Sequence, residues 1–132
     1  MTVPKNIMER RFDGRLILIV DDEFDIAATY SMLFEYHGFR VQTAANGRQA
    51  LDLATREAPD IVVSDYMMPI MDGAQLCWQW RAHPGLCAIP FILLSAGSVI
   101  ERSEVPFDLF MRKPVGFDLL LARIGELLAQ PG

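Results

Sequence analysis

Lysine is almost missing from this chain: among 132 residues only Lys5 and Lys113 occur. Acidic residues outnumber basic ones, and the net charge of −5 leaves no basic stripe of the kind that nucleic-acid binding requires. Cysteine is equally scarce. Cys77 and Cys87 match no metal-ligand spacing, so a cytoplasmic protein with both thiols reduced is expected. No apolar run approaches the roughly 20 residues of a membrane span, and no signal peptide opens the chain. The composition is 52% hydrophobic, which suits one globular domain with a substantial core.

Within that composition the apolar residues are concentrated in short runs. Ile61-Val62-Val63-Ser64-Asp65 reads as a strand buried on both faces that ends abruptly in a carboxylate. Leu16–Val20 is a second such run and is followed by Asp21-Asp22-Glu23. A third, Pro90–Gly97, ends in the hydroxyl of Ser95, and a fifth strand over Asp108–Lys113 is closed by Pro114. Phe39–Ala44 is partly polar and suits a sheet edge. Helical spacing fills the intervals. Phe24–His37 places Ile26, Tyr30, Leu33 and Phe34 inward, and Gly38 stops it. Arg48–Ala58 and Ala74–Ala82 follow, the latter with Leu76, Cys77 and Trp80 on one face. Ser98–Val105 is polar and ambiguous, and Phe117–Gln130 is a final amphipathic helix with Leu120, Ile124, Leu127 and Leu128 inward. Strands alternating with helices, without a hairpin signal, imply an α/β fold with a five-stranded parallel sheet covered on both faces. Residues 1–14 read as an N-terminal tail, docked through Ile7, Met8 or Phe12, and residues 15–130 as the domain.

In a parallel sheet the strand ends carrying Asp21, Asp22, Asp65, Ser95 and Lys113 all point to one edge, where open α/β sheets bind ligands. Each residue could separately cap a helix or turn. Taken together they suggest phosphoryl chemistry. Crowded carboxylates call for a hard divalent cation with oxygen ligands, and Lys113 offers a point charge for a carboxylate or phosphoryl group. An aspartate beside a metal is a recognised phosphoryl-accepting nucleophile.

The ordered set LILIVDDE, IVVSDYMMPIMDG, FILLSAG and LFMRKP resembles the response-regulator receiver domain of two-component signalling, over nearly the whole chain after the tail. The resemblance implies a flavodoxin-like sheet in the order 2-1-3-4-5. It implies that Asp65 is the phospho-acceptor. Asp21, Asp22, Asp65 and the main-chain carbonyl of Met67 would hold Mg2+, with Mn2+ as an alternative. Ser95 would contact the phosphoryl group and Lys113 would bind it, with the Lys113–Pro114 bond cis. Phe110 falls at the aromatic switch position but lacks a tyrosine hydroxyl. The implied partners are a histidine kinase or histidine phosphotransfer protein and a downstream protein target, with a homodimer also compatible and no nucleic acid or membrane. The chain would catalyse only its own phosphorylation and dephosphorylation, and would not otherwise be an enzyme. Lys113 follows Ser95 by only 18 positions and Val105-Pro106 interrupts the interval, so the fourth helix is expected to be short or partly unwound.

Two alternatives stand beside this reading. A receiver-fold interaction module working without phosphorylation would sooner have lost one of Asp21, Asp22, Asp65, Ser95 and Lys113. A haloacid-dehalogenase-like phosphatase needs a second acid two residues after its nucleophile, where this chain has Met67. For partner docking, Phe24, Ala28, Met32 and Tyr36 recur at i, i+4 as a second apolar stripe on the first helix, and Trp78 is expected half exposed, roughly opposite Trp80.

Overall fold

The computed structural model describes residues 12–97 and 104–130. Five strands, β1 (Leu16–Val20), β2 (Arg40–Ala44), β3 (Ile61–Asp65), β4 (Phe91–Ser95) and β5 (Leu109–Arg112), form a parallel sheet in the order β2-β1-β3-β4-β5. Four helices complete the described part: α1 (Phe24–Tyr36), α2 (Gly47–Arg56), α3 (Gly73–Ala82) and α4 (Phe117–Ala129).

The apolar runs are continuous because the inner strands face two cores. Every residue of β1, β3 and β4 is buried. Alternate side chains point to opposite faces of a strand. Ile17, Ile19, Ile61, Val63, Ile92 and Leu94 therefore pack with Ala27 and Phe34 of α1 and Leu120 and Ile124 of α4. Leu18, Val20, Val62, Phe91 and Leu93 pack on the other face with α2 and α3, around Ala50, Ala54, Leu76 and Trp80. Each fully buried Leu, Ile or Phe contributes about 1.5–3 kcal/mol, so these layers carry much of the fold's stability. The mixed patterns of β2 and β5 match their places at the two sheet edges.

Local chemistry sets several boundaries. Asn46 caps α2 by accepting from Gln49 N, and Asp72 and Gln75 make a capping box at α3. Gly38, at φ 98°, ends α1 in the left-handed region. Strand β5 begins at Leu109, not at Asp108 as the sequence suggests. The Asp108 carboxylate is instead committed to Phe91 N and to the Arg81 guanidinium. Leu33, expected inward, is 37% exposed. It sits about 100° around the helix from Phe34 and so falls outside the stripe that Ala27 and Phe34 bury.

Phe12, assigned to the tail by sequence, is buried and stacks on Phe39 with ring centroids 4.9 Å apart. The packed core thus begins upstream of residue 15. Ile7 and Met8 lie outside the described residues, as does the 98–103 part of the expected short helix. No described helix is long and apolar enough to cross a membrane.

Candidate functional site

Strand pairing assembles the site. Val20 pairs with Ser64, Asp65 with Leu94, and Ser95 with Arg112, so the residues that end or follow these strands arrive at one edge. The ladder continues a little further: Asp21 N donates to Ala44 O at 3.0 Å, and Lys113 N donates to Ser95 O at 2.9 Å. Asp21, Asp22, Asp65, Ser95 and Lys113 are all at this edge, as their positions in the sequence require.

The Lys113 ammonium lies 3.2 Å from Asp65 Oδ1 and 3.5 Å from Asp21 Oδ2. Asp21, Asp65 and Ser95 are buried, whereas Asp22 is exposed. One carboxylate oxygen from each of Asp21, Asp22 and Asp65 lies within 4.8 Å of the others. The second Asp21 oxygen accepts from Glu23 N at 2.8 Å, which fixes that carboxylate at the entry to α1. Ser95 Oγ accepts from Gly97 N at 3.2 Å.

Burial pushes the Asp65 carboxyl above its ordinary value; the Lys113 ammonium pulls it back, and Asp21 adds to the rise. For Lys113 burial works downward, yet Asp21 and Asp65 together leave it raised. The asymmetry has a simple cause. Lys113 faces two carboxylates, while Asp65 faces one ammonium and a like charge. Three carboxylates against one ammonium leave two negative charges, and all the donors are hard oxygens. That donor set fits a divalent cation such as magnesium.

The turn after Asp65 is tightly built. Gly73 N donates to Tyr66 O at 2.8 Å, and a Cβ at Gly73 would collide with the Asp65 carbonyl oxygen. Ile70, 81% exposed, has φ 69°, a left-handed conformation that a β-branched residue rarely adopts. Met67 is largely exposed beside it. The Lys113–Pro114 bond is cis, as expected.

Phe110 is partly buried on the α2/α3 face, where its ring lies 5.9 Å from that of Phe107. On α1, Phe24, Met32 and Tyr36 are exposed by 82%, 71% and 62%, with Ala28 half-buried between them. Trp78 is exposed on α3, which packs on the opposite face of the sheet from α1. The two candidate partner surfaces are therefore separate.

Sequence reasoning missed a cavity of about 610 Å3 beside the site. Ile26, Thr29 and Tyr30 of α1 face Ala96, Lys113 and Pro114 across it. Tyr30 had been read only as a core position; its register one turn before Phe34 was the signal that it also reaches toward the strand ends. The close approach at Gly73 was legible only as a turn glycine, and nothing in the residue type at Ile70 announces its conformation.

Comparison with known proteins agrees with this geometry. Residues 17–125 match the response regulator receiver domain family. The chain is 35% identical over 130 residues to the probable transcriptional regulatory protein TcrX of Mycobacterium tuberculosis, covering 93% of this chain and 54% of that protein. It is 37% identical over 116 residues to the response regulator MprA of Mycolicibacterium vanbaalenii, covering 85% and 49%. The chain thus spans about half the length of these relatives. A solved signal receiver domain of a signal transduction histidine kinase from Syntrophus aciditrophicus superposes with a TM-score of 0.83 at 32% identity, covering 88% of this chain and 91% of that one.

Proposed function

The chain belongs to the response regulator receiver domain family of two-component signalling, and on that premise we propose that it takes a phosphoryl group onto Asp65. The observation that carries the assignment is the Lys113 ammonium 3.2 Å from a buried Asp65 carboxylate, within a three-carboxylate cluster at the strand ends. The reading without phosphorylation is not favoured, because every group the chemistry needs is present.

In the proposed reaction an Asp65 oxygen attacks the phosphorus of a phosphohistidine on a histidine kinase or phosphotransfer protein. A phosphorus–oxygen bond forms as the phosphorus–nitrogen bond breaks, and the departing imidazole keeps the electron pair and takes a proton from solvent. Asp21, Asp22, Asp65 and the Met67 carbonyl would hold a magnesium ion, which supplies charge neutralisation for the transferring group. Lys113 offsets part of the same charge. Ser95 presents a hydroxyl that can turn from Gly97 N toward a phosphoryl oxygen. Phe110 reads the vacated space by packing alone, and a target protein reads the changed surface. The exposed stripe of Phe24, Met32 and Tyr36 begins beside Asp22 and is where a helical donor would dock, in the cytoplasm. Beyond its own phosphorylation and hydrolysis the domain turns over no substrate.

Treatment with phosphoramidate and magnesium should add one acid-labile phosphoryl group by intact mass, and Asp65→Ala protein should stay unlabelled. Equal labelling of the variant would remove Asp65 from the role.

A further inference from the structure

Lys113 makes its ion pairs on one side only. Asp21 and Asp65 hold its ammonium, while the same residue lines the wall of the 610 Å3 cavity. Facing it across that cavity is α1, with Asp25, Ile26, Thr29 and Tyr30. Tyr30 is the only aromatic ring among the described lining residues. It is half-buried and braced by Phe34, with ring centroids 6.1 Å apart. The field of the site reaches it: burial raises the phenol above its ordinary value, Lys113 lowers it, and Asp21 and Asp65 raise it again. Such a phenol is neutral near pH 7, so the ring sits beside the lysine without competing for it as an anion.

We propose that Tyr30 is a positioning residue for the phosphoryl reaction, whose ring closes the cavity side of Lys113, keeps the ammonium on the Asp65 side, and limits the approach of water to an acyl phosphate there. This rests on Asp65 being the acceptor. The lysine contacts two carboxylates at 3.2 and 3.5 Å, distances at which a flexible four-carbon chain still has alternatives in water. A ring against its open flank removes those alternatives at the cost of little side-chain entropy, because Phe34 already limits the rotamer. Ile26 and Thr29 are too short to replace it.

The test uses Tyr30→Ala and Tyr30→Phe, with Tyr30→Leu as the substitute should the alanine protein be unfolded by circular dichroism. Two readouts are taken. The first is the exchange of the Lys113 ammonium protons with water in lysine-labelled protein, where Lys5 gives the only other signal. The second is phosphoryl half-life after phosphoramidate labelling. Tyr30→Ala or Tyr30→Leu should speed ammonium exchange and shorten the half-life by about three- to tenfold. Tyr30→Phe, which keeps the ring, should match wild type in both. Unaltered exchange and half-life in the ring-deleted protein would overturn the proposal, and so would a phenylalanine protein as impaired as the alanine one. Should wild type fail to label at all, the acceptor assignment fails, while ammonium exchange still decides whether Tyr30 holds Lys113.

Discussion

Replacing Gly73 by alanine tests how rigidly the phospho-acceptor is held. Gly73 opens α3 directly beneath the end of β3. A Cβ there would overlap the Asp65 carbonyl oxygen and approach Leu93 Cδ1 to 2.7 Å and Tyr66 Cα to 2.9 Å. Two of these atoms belong to the backbone at the end of a central, fully buried strand, and Leu93 is itself completely buried. None is the loose end of a flexible side chain. Two effects compete. Alanine is the better helix former and would gain up to about 1 kcal/mol in an unobstructed helix. Overpacking against atoms that cannot yield costs about 1–3 kcal/mol, and contacts this close to backbone belong in the upper part of that range.

The clash wins, and a net loss of roughly 1–2 kcal/mol is expected from these two ranges. Urea denaturation should therefore show a lower midpoint with an unchanged slope. Because the displaced atom is the Asp65 carbonyl, magnesium affinity and labelling by phosphoramidate should fall as well. Gly97→Ala is the control. Its Cβ would meet only Ser95 Oγ, at 4.0 Å, so stability should stay within about 0.5 kcal/mol. A Gly73→Ala protein as stable and as readily labelled as wild type would show that α3 can slide off β3, and that the close approach does not hold the acceptor.

Two further substitutions probe the same edge. Ile70→Asn should stabilise the domain by about 0.5–1 kcal/mol in urea, because asparagine tolerates the left-handed conformation and the exposed isoleucine loses little burial. Asp22→Ala should weaken magnesium binding by about tenfold or more in calorimetric titration, since it removes a direct oxygen ligand. Asp65→Asn should stabilise the metal-free protein in a pH-dependent way. The folded pKa of Asp65 is raised, mainly by burial, so the folded state holds its proton more tightly than the unfolded chain does. Wild type should then lose ground to the variant as pH rises from below the ordinary carboxylate value through the raised one, and thermal melts in chelator across that window would show the gap widen.

Most of the architecture could be read in advance because burial on both faces leaves a plain mark. Leu16–Val20 and Ile61–Val63 are apolar without alternation, and a run of that kind suits only the interior of a parallel sheet. The site was legible for the same reason: once strands are parallel, a polar residue that ends one is brought to the others. Side-chain commitments were harder to see. Asp108 could not be told from a strand residue until Arg81 and Phe91 N were found to share its carboxylate. Leu33 has the chemistry of a core residue, and only the helix's rotation about its axis leaves it outside. Tyr30 fitted the core period, but the open space on its far side depends on how α1 stands off from Pro114, a distance that no local pattern encodes.

The charge arithmetic of the site points to the strand pair through which phosphorylation acts. With three carboxylates facing one ammonium, Asp65 and Asp21 share Lys113 in surroundings that screen charge poorly. A phosphoryl group on Asp65 would turn that carboxylate into a neutral acyl oxygen and place about two negative charges further out. Lys113 would then follow the charge away from Asp21, and the Ser95 hydroxyl would leave Gly97 N for a phosphoryl oxygen. Both residues are anchored to the same ladder: Lys113 N donates to Ser95 O, Ser95 pairs with Arg112, and Leu93 pairs with Phe110. A phosphoryl group can bias a conformational equilibrium only through contacts that differ between its states. The contacts that would differ here lie on β4 and β5, two pairs along the ladder from Phe110, whereas the α1 stripe contributes none of them. The α1 face therefore fits recognition of the donor, and the β4–β5 edge fits release of the signal.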